Sequence, residues 1–398
     1  MIPFLLLFSL ACKDGGGVDD SQVTGTDDTQ SGDDTGAECL EASAPSGLTL
    51  VGEATPLTAP TLTWTEPVEG CAQTVEIQLA LGDGSDPAAW LDWTAVTQPW
   101  DGSLSTPLPL EGEVVASLRA VDALGNQSEA VSASFTMWSP SALEGMVAWY
   151  DFADTDTLLG TGCSAPAAEG EVIHCVDDKS GNGNDLSDAD AGEGYPDFDG
   201  PLRTTLNGRA AADFHGQRLL WVPHNDSIGF QAPGMVAVWV DAPSRVNDYT
   251  GEYPLNKEGA YEFAYREGQL KAAIETEASG RWEWGTVDPG ASPELQLNAF
   301  VYDGTNWVFR RNAEPLGLMS PAGNQTGLTN AGYYELHYGG QTFVITETPL
   351  VIGGRPLGNR VSYEAVQGEL LLFDQVPTGT DLNLLERQLM EKWQIATE

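Results

Sequence analysis

Three clusters of residues in this chain of 398 have the types and spacing to do chemistry. Glu275-Thr276-Glu277 sets two carboxylates two positions apart, hence on one face of a strand. Glycoside cleavage with retention needs that placement, with the carboxyls about 5 to 5.5 Å apart. Close by, Arg281-Trp282-Glu283-Trp284 puts two indoles on a shared strand face, and Tyr249 and Tyr253 fall in a polar stretch. Aromatic faces of this kind stack on the C–H surface of a pyranose while nearby amides and carboxylates meet its hydroxyls. Packing between sheets is the plainer use for both tryptophans, because Trp is usually buried. The third cluster holds Asp177, Asp178, Asn182, Asn184, Asp185 and Asp188. So many hard oxygen donors in one loop suit Ca²⁺, which extracellular modules often bind only at about 10⁻⁴ to 10⁻³ M. The best-placed ligands are Asp178, Asn182, Asn184 and Asp185, although the run Asp178-Lys179-Ser180-Gly181-Asn182-Gly183 reads first as turn chemistry.

Other chemistries lack the residues they need. The four histidines, His174, His215, His224 and His337, form no H-E-x-x-H pair, and no two cysteines stand in C-x-x-C spacing, so a transition-metal centre has no support. The carboxylate pair at 275 and 277 runs straight into Ala278-Ser279-Gly280, a turn signal, and binding without catalysis is therefore expected.

Strands and turns must position these clusters. The chain holds 45 Gly, 24 Pro and 12 Trp, a composition of many short strands, and its length suits two folded units plus unstructured sequence. With 17 Lys and Arg against 59 Asp and Glu, the formal charge is -42. That field repels phosphate backbones and anionic headgroups, which excludes nucleic acid as the expected partner. The five cysteines divide into Cys12 and two couples, Cys39 with Cys71 and Cys163 with Cys175, a pattern that fits two bridges made in an oxidising compartment.

The first eleven residues, MIPFLLLFSLA, are apolar but too short to span a bilayer, and a polar tract follows Cys12 at once. Residues 1–11 read as a signal peptide. Ala11 directly before Cys12 resembles the lipobox of bacterial lipoproteins, although Ser9 stands where that family prefers Leu and the leader has no Lys or Arg. The resemblance implies acylation of Cys12, a lipid anchor in the membrane, and a location in the bacterial cell envelope, on the outer membrane or the cell surface. Two or more acyl chains, at about 0.8 kcal/mol per buried methylene, would hold it there stably. Residues 13–37 carry seven Asp, six Gly and no aromatic residue and cannot bury enough surface to fold. Residues 12–39, Cys12 to Cys39, are an acidic tether around this tract, which as a Gly-rich coil spans roughly 25 to 30 Å.

Residues 40–138 change to short Thr- and Val-rich runs separated by Pro, Gly and Asp clusters. PTLTWTEP at 60–67 and VVASLRAVDALGNQSEAVSASF at 114–135 resemble strands of a fibronectin type III domain, with Val114 where that family usually has Tyr. A bridge between Cys39 and Cys71 would close a loop worth about 3 to 4 kcal/mol. This unit offers no catalytic constellation, and a spacer role is expected of it.

Residues 141–398 carry the strongest pattern. AWYDF (148–152), DKSGNGNDL (178–186), DFHGQRLLWVP (213–223), VAVWV (236–240), LNKEGAYEFAYREGQLKAAIET (255–276), YDGTNWVFRRN (302–312), PLVIGGRP (349–356) and GELLLFDQV (368–376) occur in an order that resembles the bacterial laminin G-like, or concanavalin A-like, jelly-roll family. Leu382, Leu385, Leu389 and Trp393 recur at three- and four-residue steps and predict one amphipathic helix closing against the sandwich. The fold expected is therefore all-β, an immunoglobulin or fibronectin type III-like sandwich followed by a concanavalin A-like jelly roll with a short C-terminal helix. The resemblance implies binding of a glycan or a surface protein, in some members with Ca²⁺. Two other functions compete with it. One is a glycoside hydrolase of the concanavalin A-like glucanase type, whose E-x-D-x-E run this chain lacks. The other is a purely structural or adhesive surface protein.

Overall fold

The apolar runs of the chain alternate with polar positions or turn residues at strand spacing, and nearly all of them pair as antiparallel strands. The computed structural model describes residues 42–67, 73–109, 112–189, 198–230, 234–244, 251–275, 282–287, 294–303, 307–316, 344–355 and 363–396. Cys12, Cys39, Cys71, Tyr249 and Glu277 lie outside them.

The first strands are β1 (Ser46–Val51), β2 (Thr61–Thr65), β3 (Thr74–Gly82), β4 (Leu91–Val96), β5 (Gly112–Asp122) and β6 (Val131–Met137). A two-stranded sheet pairs β1 with β2, and a four-stranded sheet runs β4-β3-β5-β6. Trp64 on β2 is buried with Leu62, Leu79, Leu81, Val114, Ala116 and Leu118 in a core of their own.

Seventeen more strands follow: β7 (Met146–Asp151), β8 (Leu158–Leu159), β9 (Cys175–Val176), β10 (Leu186–Ser187), β11 (Leu202–Leu206), β12 (Arg209–Asp213), β13 (Leu220–Val222), β14 (Met235–Pro243), β15 (Glu252–Lys257), β16 (Tyr261–Arg266), β17 (Gln269–Glu275), β18 (Trp282–Val287), β19 (Gln296–Tyr302), β20 (Trp307–Arg311), β21 (Glu314–Pro315), β22 (Leu350–Ile352) and β23 (Ala365–Phe373). They form two large sheets. One has nine strands in the order β18-β17-β16-β15-β22-β13-β10-β9-β8; the other has eight, β11-β12-β23-β14-β19-β20-β21 with β7 paired to β23. Leu255, Phe263, Leu270 and Ile274 from the first sheet meet Trp239, Phe300, Leu370 and Leu372 from the second in one buried cluster, the core of a jelly-roll-like sandwich.

The opposite face of the eight-stranded sheet is apolar as well, because Val236, Val238, Val240, Leu371 and Phe373 alternate with the inward residues. One α-helix is found among the described residues, α1 (Gly379–Trp393), and it covers that face. Thr378 caps its start by accepting the N–H of Asp381, and Leu382, Leu385, Leu389 and Trp393 all lie buried in the cluster, as their spacing predicts. Gly368 explains the tight fit. A Cβ there would stand 2.7 Å from the Trp393 indole, so only glycine leaves room for the ring against β23. Among the described residues no helix is long and apolar enough to cross a membrane.

Candidate functional site

The nine-stranded sheet has one face in the core, so the alternate residues of its strands form a second face pointing away. On β15, β16 and β17 these residues are Asn256, Glu262, Ala264, Arg266, Lys271, Ala273 and Glu275, an unusually polar set for positions so buried: Glu262 is 0% exposed, Asn256 1% and Lys271 1%. Their partners explain it. Asn256 stands directly opposite Glu262 and donates its amide to Oε2 at 3.0 Å. Arg355, just past β22, donates to both oxygens of Glu258 at 2.7 and 2.6 Å, and its Nε lies 3.4 Å from Glu262 Oε2. Burial works against the Arg355 charge, but the hydrogen bonds it donates to Glu258 and the charges of Glu262 and Glu258 hold it above the ordinary arginine range. Lys271 reaches Glu267 at 3.4 Å; burial and Arg266 lower its pKa, while Glu267 raises it. The result is a buried row of amide, carboxylate and guanidinium groups that satisfy one another, of which only the Arg355–Glu258 pair, 17% and 23% exposed, is open enough to meet ligand hydroxyls.

Glu275 ends β17, and burial with the charge of Glu258 pushes its carboxyl up; the turn signal at 278–280 lies outside the described residues. Its intended partner Glu277 is outside the described residues. Trp282 and Trp284 do lie on a strand, and the register sets Trp282 opposite Glu275 and Trp284 opposite Ala273. Their positions thus border the polar row; their side chains are outside the described set. Tyr253 departs from expectation. The sequence predicts a ligand contact in a polar loop, yet Tyr253 sits on β15 and is 0% exposed. The charged and proline-containing run Glu252-Tyr253-Pro254 conceals a strand whose ladder is interrupted by a bulge between Glu252 and Leu255.

The acidic loop closes on itself. Asp178 Oδ1 accepts the N–H of Trp149 at 2.9 Å and that of Ser180 at 2.9 Å; Oδ2 accepts the Ser180 hydroxyl at 2.7 Å and the N–H of Asn184 at 3.0 Å. Asp185 accepts the N–H of Asp178, Asn182 donates to the carbonyls of Met146 and Val147, and Asn184, fully buried, donates to Val147 and Ser227. The four residues do come together, but as a knot that ties the loop to β7. A cation at Asp178 would have to displace those donors. Among the described residues no group of three or more His, Cys, Asp and Glu could hold a metal ion. Cys163 and Cys175 are bonded, with their Cα atoms 5.5 Å apart.

Asn256, Glu262 and Arg355 escaped the sequence reading. The alternation Tyr261-Glu262-Phe263-Ala264-Tyr265 did mark Glu262 as opposite in face to the aromatic core, but nothing local linked it to Arg355, 93 positions away in the chain.

No protein-family model matches the chain, and no curated protein matches it in sequence. Among solved structures, the chain is similar to the binding domain of Paraclostridial Mosquitocidal Protein 1, 10% identical over 56% of this chain and 51% of that one, with a TM-score of 0.37. The Botulinum neurotoxin serotype D binding domain is 9% identical over 63% and 52%, TM-score 0.39. The receptor binding domain of botulinum neurotoxin mosaic serotype C/D is 10% identical over 63% and 51%, TM-score 0.40. The chain spans about half the length of these structures, and at such TM-scores the likeness carries no functional argument.

Proposed function

We propose that the chain is an exported lipoprotein of the bacterial cell envelope, anchored through Cys12, whose laminin G-like jelly roll binds a glycan without cleaving it. The observation that carries this reading is the part-exposed Arg355–Glu258 pair, braced by the buried Glu262, on the sheet face that also holds the positions of Trp282 and Trp284. Hydroxyl-rich ligands need rigid donors and acceptors flanked by aromatic surface, because polar groups already held in place lose little entropy on binding. Glu258 and Glu262 both engage Arg355, an arrangement suited to recognition. Retaining hydrolysis would ask one carboxyl to donate a proton while the other attacks. The formal charge of -42 favours a neutral or cationic ligand over an anionic one. The β1–β6 sandwich, read as fibronectin type III-like, serves as a spacer.

A glycan array probed with the mature chain, with Ca²⁺ and with chelator, tests the proposal. Binding to a defined class of neutral glycan is expected, reduced about tenfold or more in Trp282→Ala or Trp284→Ala, the scale of losing an aromatic contact of about 1.5 kcal/mol. No binding to any glycan, or shortening of a bound oligosaccharide on incubation, would overturn it.

A further inference from the structure

A second cluster lies on the opposite side of the molecule's larger sandwich, beneath α1. Asp151 at the end of β7 and Glu369 on β23 stand directly opposite one another in the ladder, and both are 0% exposed. Two like charges in that position repel. Lys392 of α1 enters between them, its Nζ 2.7 Å from Asp151 Oδ1 and 2.7 Å from Glu369 Oε2. Its side chain is 6% exposed. Two indoles complete the enclosure: Trp149 donates to Glu369 Oε1 at 2.8 Å and Trp393 to Oε2 at 2.9 Å. A second amine, Lys179, stays 3.6 Å from Asp151 Oδ2 and is held instead by Asp154 at 2.8 Å.

We propose that Lys392 and Asp151 condense into an intramolecular amide, with Glu369 as the proton relay, so that the C-terminal helix is covalently fastened to the first strand of the sandwich.

The balance needs no outside reagent. One proton passes from the Lys392 ammonium to the Asp151 carboxylate, leaving an amine and a carboxylic acid. The Nζ lone pair attacks Asp151 Cγ and forms the C–N bond; Glu369 then gives a proton to the departing oxygen and takes one from nitrogen. The C–O bond breaks and water leaves. In sum, an ammonium and a carboxylate become an amide and one water, and Glu369 ends as it began.

In water this reaction runs uphill, because both ions are well hydrated. Here neither is, and desolvation penalises the ion pair while sparing the neutral amide. Fixed contact adds an effective concentration that for well-oriented groups reaches about 10⁵ to 10⁸ M. Glu369 lies within hydrogen-bond reach of the nitrogen whose proton it must carry. Burial and the neighbouring Asp151 charge push its carboxyl up, towards the protonated form a relay requires. Burial opposes the Asp151 charge too, but Lys392 and Lys179 hold that carboxyl below the usual range. The bond would join positions 241 residues apart.

Mass spectrometry of the protease-digested full chain decides the matter. The expected product is a branched peptide joining the segment of Asp151 to that of Lys392, lighter by one water than the two separate peptides, with no tryptic cut after Lys392. Lys392→Arg and Asp151→Ala should abolish it. Because either variant can also loosen the helix, Glu369→Gln is the sharper test: it keeps the size and hydrogen-bonding capacity of residue 369, so the protein should fold, by circular dichroism, yet yield both linear peptides. Recovery of those linear peptides in full from folded wild-type protein would overturn the proposal. A branched peptide formed as fast in Glu369→Gln would overturn the relay.

Discussion

Asp241 is a carboxyl whose surroundings oppose its charge. It lies on the core side of β14, 0% exposed, and accepts the hydroxyl of Tyr363 at 2.6 Å and that of Tyr265 at 2.8 and 2.9 Å. Tyr265 in turn accepts from the Trp239 indole at 2.9 Å and the Asn298 amide at 2.8 Å, so the carboxyl ends a chain of oriented donors. Burial raises its pKa from 3.8 to about 7, against the pull of those hydrogen bonds. A raised folded-state value means that the fold binds the proton more tightly than the unfolded chain does. The associated stability is therefore complete below pH 3.8 and is lost as pH rises towards about 7. Its full size is on the order of 4 kcal/mol, at 1.36 kcal/mol per unit. Asp241→Asn keeps the shape and removes the titration. Calorimetric melts from pH 4 to 8 should show a flatter decline in Tm for the variant, and a higher Tm than wild type at pH 8.

Among the elements, α1 shows how much packing one helix contributes. Leu385, Leu389 and Trp393 are each at most 2% exposed against the eight-stranded sheet. Leu385→Ala should cost about 2 to 5 kcal/mol, read as a lower urea midpoint. Gly368→Ala tests the same contact from the sheet side. The added methyl would meet the Trp393 ring at 2.7 Å and push it off β23, costing about 1 to 3 kcal/mol. An unchanged midpoint would mean that the indole does not pack there. The helix itself was legible in the sequence, since its burial needs only the spacing of Leu382, Leu385, Leu389 and Trp393. The strand Val236–Val240 was equally plain, a short apolar run buried on both faces. Polar clusters were not. Asp241 follows Trp239-Val240 and precedes Ala242-Pro243, a run that gives no local sign of burial, and only Tyr265 from the nine-stranded sheet and Tyr363 make the site. The same holds for Lys392 and for Arg355, whose partners are strands distant in the chain: residue type announces a charge, but topology decides what it meets.

At the scale of the whole molecule, the fold leaves a large excess of negative charge unbalanced. Each sandwich has its own core, and the contacts between the first and α1 include an Arg387–Glu53 pair, more than half exposed on both sides and so worth at most about 1 kcal/mol, and a hydrogen bond from Thr58 to Glu391. Nothing in such contacts offsets a formal charge of -42. Self-repulsion of that kind weakens the compact state over distances of a Debye length, roughly 10 Å at 0.1 M salt and 3 Å at 1 M. Raising NaCl from low ionic strength to about 0.5 M should therefore raise Tm, by about 2 to 4 °C for each kcal/mol relieved in a unit of this size. Calcium separates screening from binding. Because Asp178 already accepts four hydrogen bonds from its surroundings, Ca²⁺ at matched ionic strength should add no saturable increment through that loop. An extra shift that saturates near millimolar Ca²⁺ and disappears in Asp178→Asn would instead mean that the knot opens to take the ion, with the energy of coordination exceeding that of the four bonds it breaks.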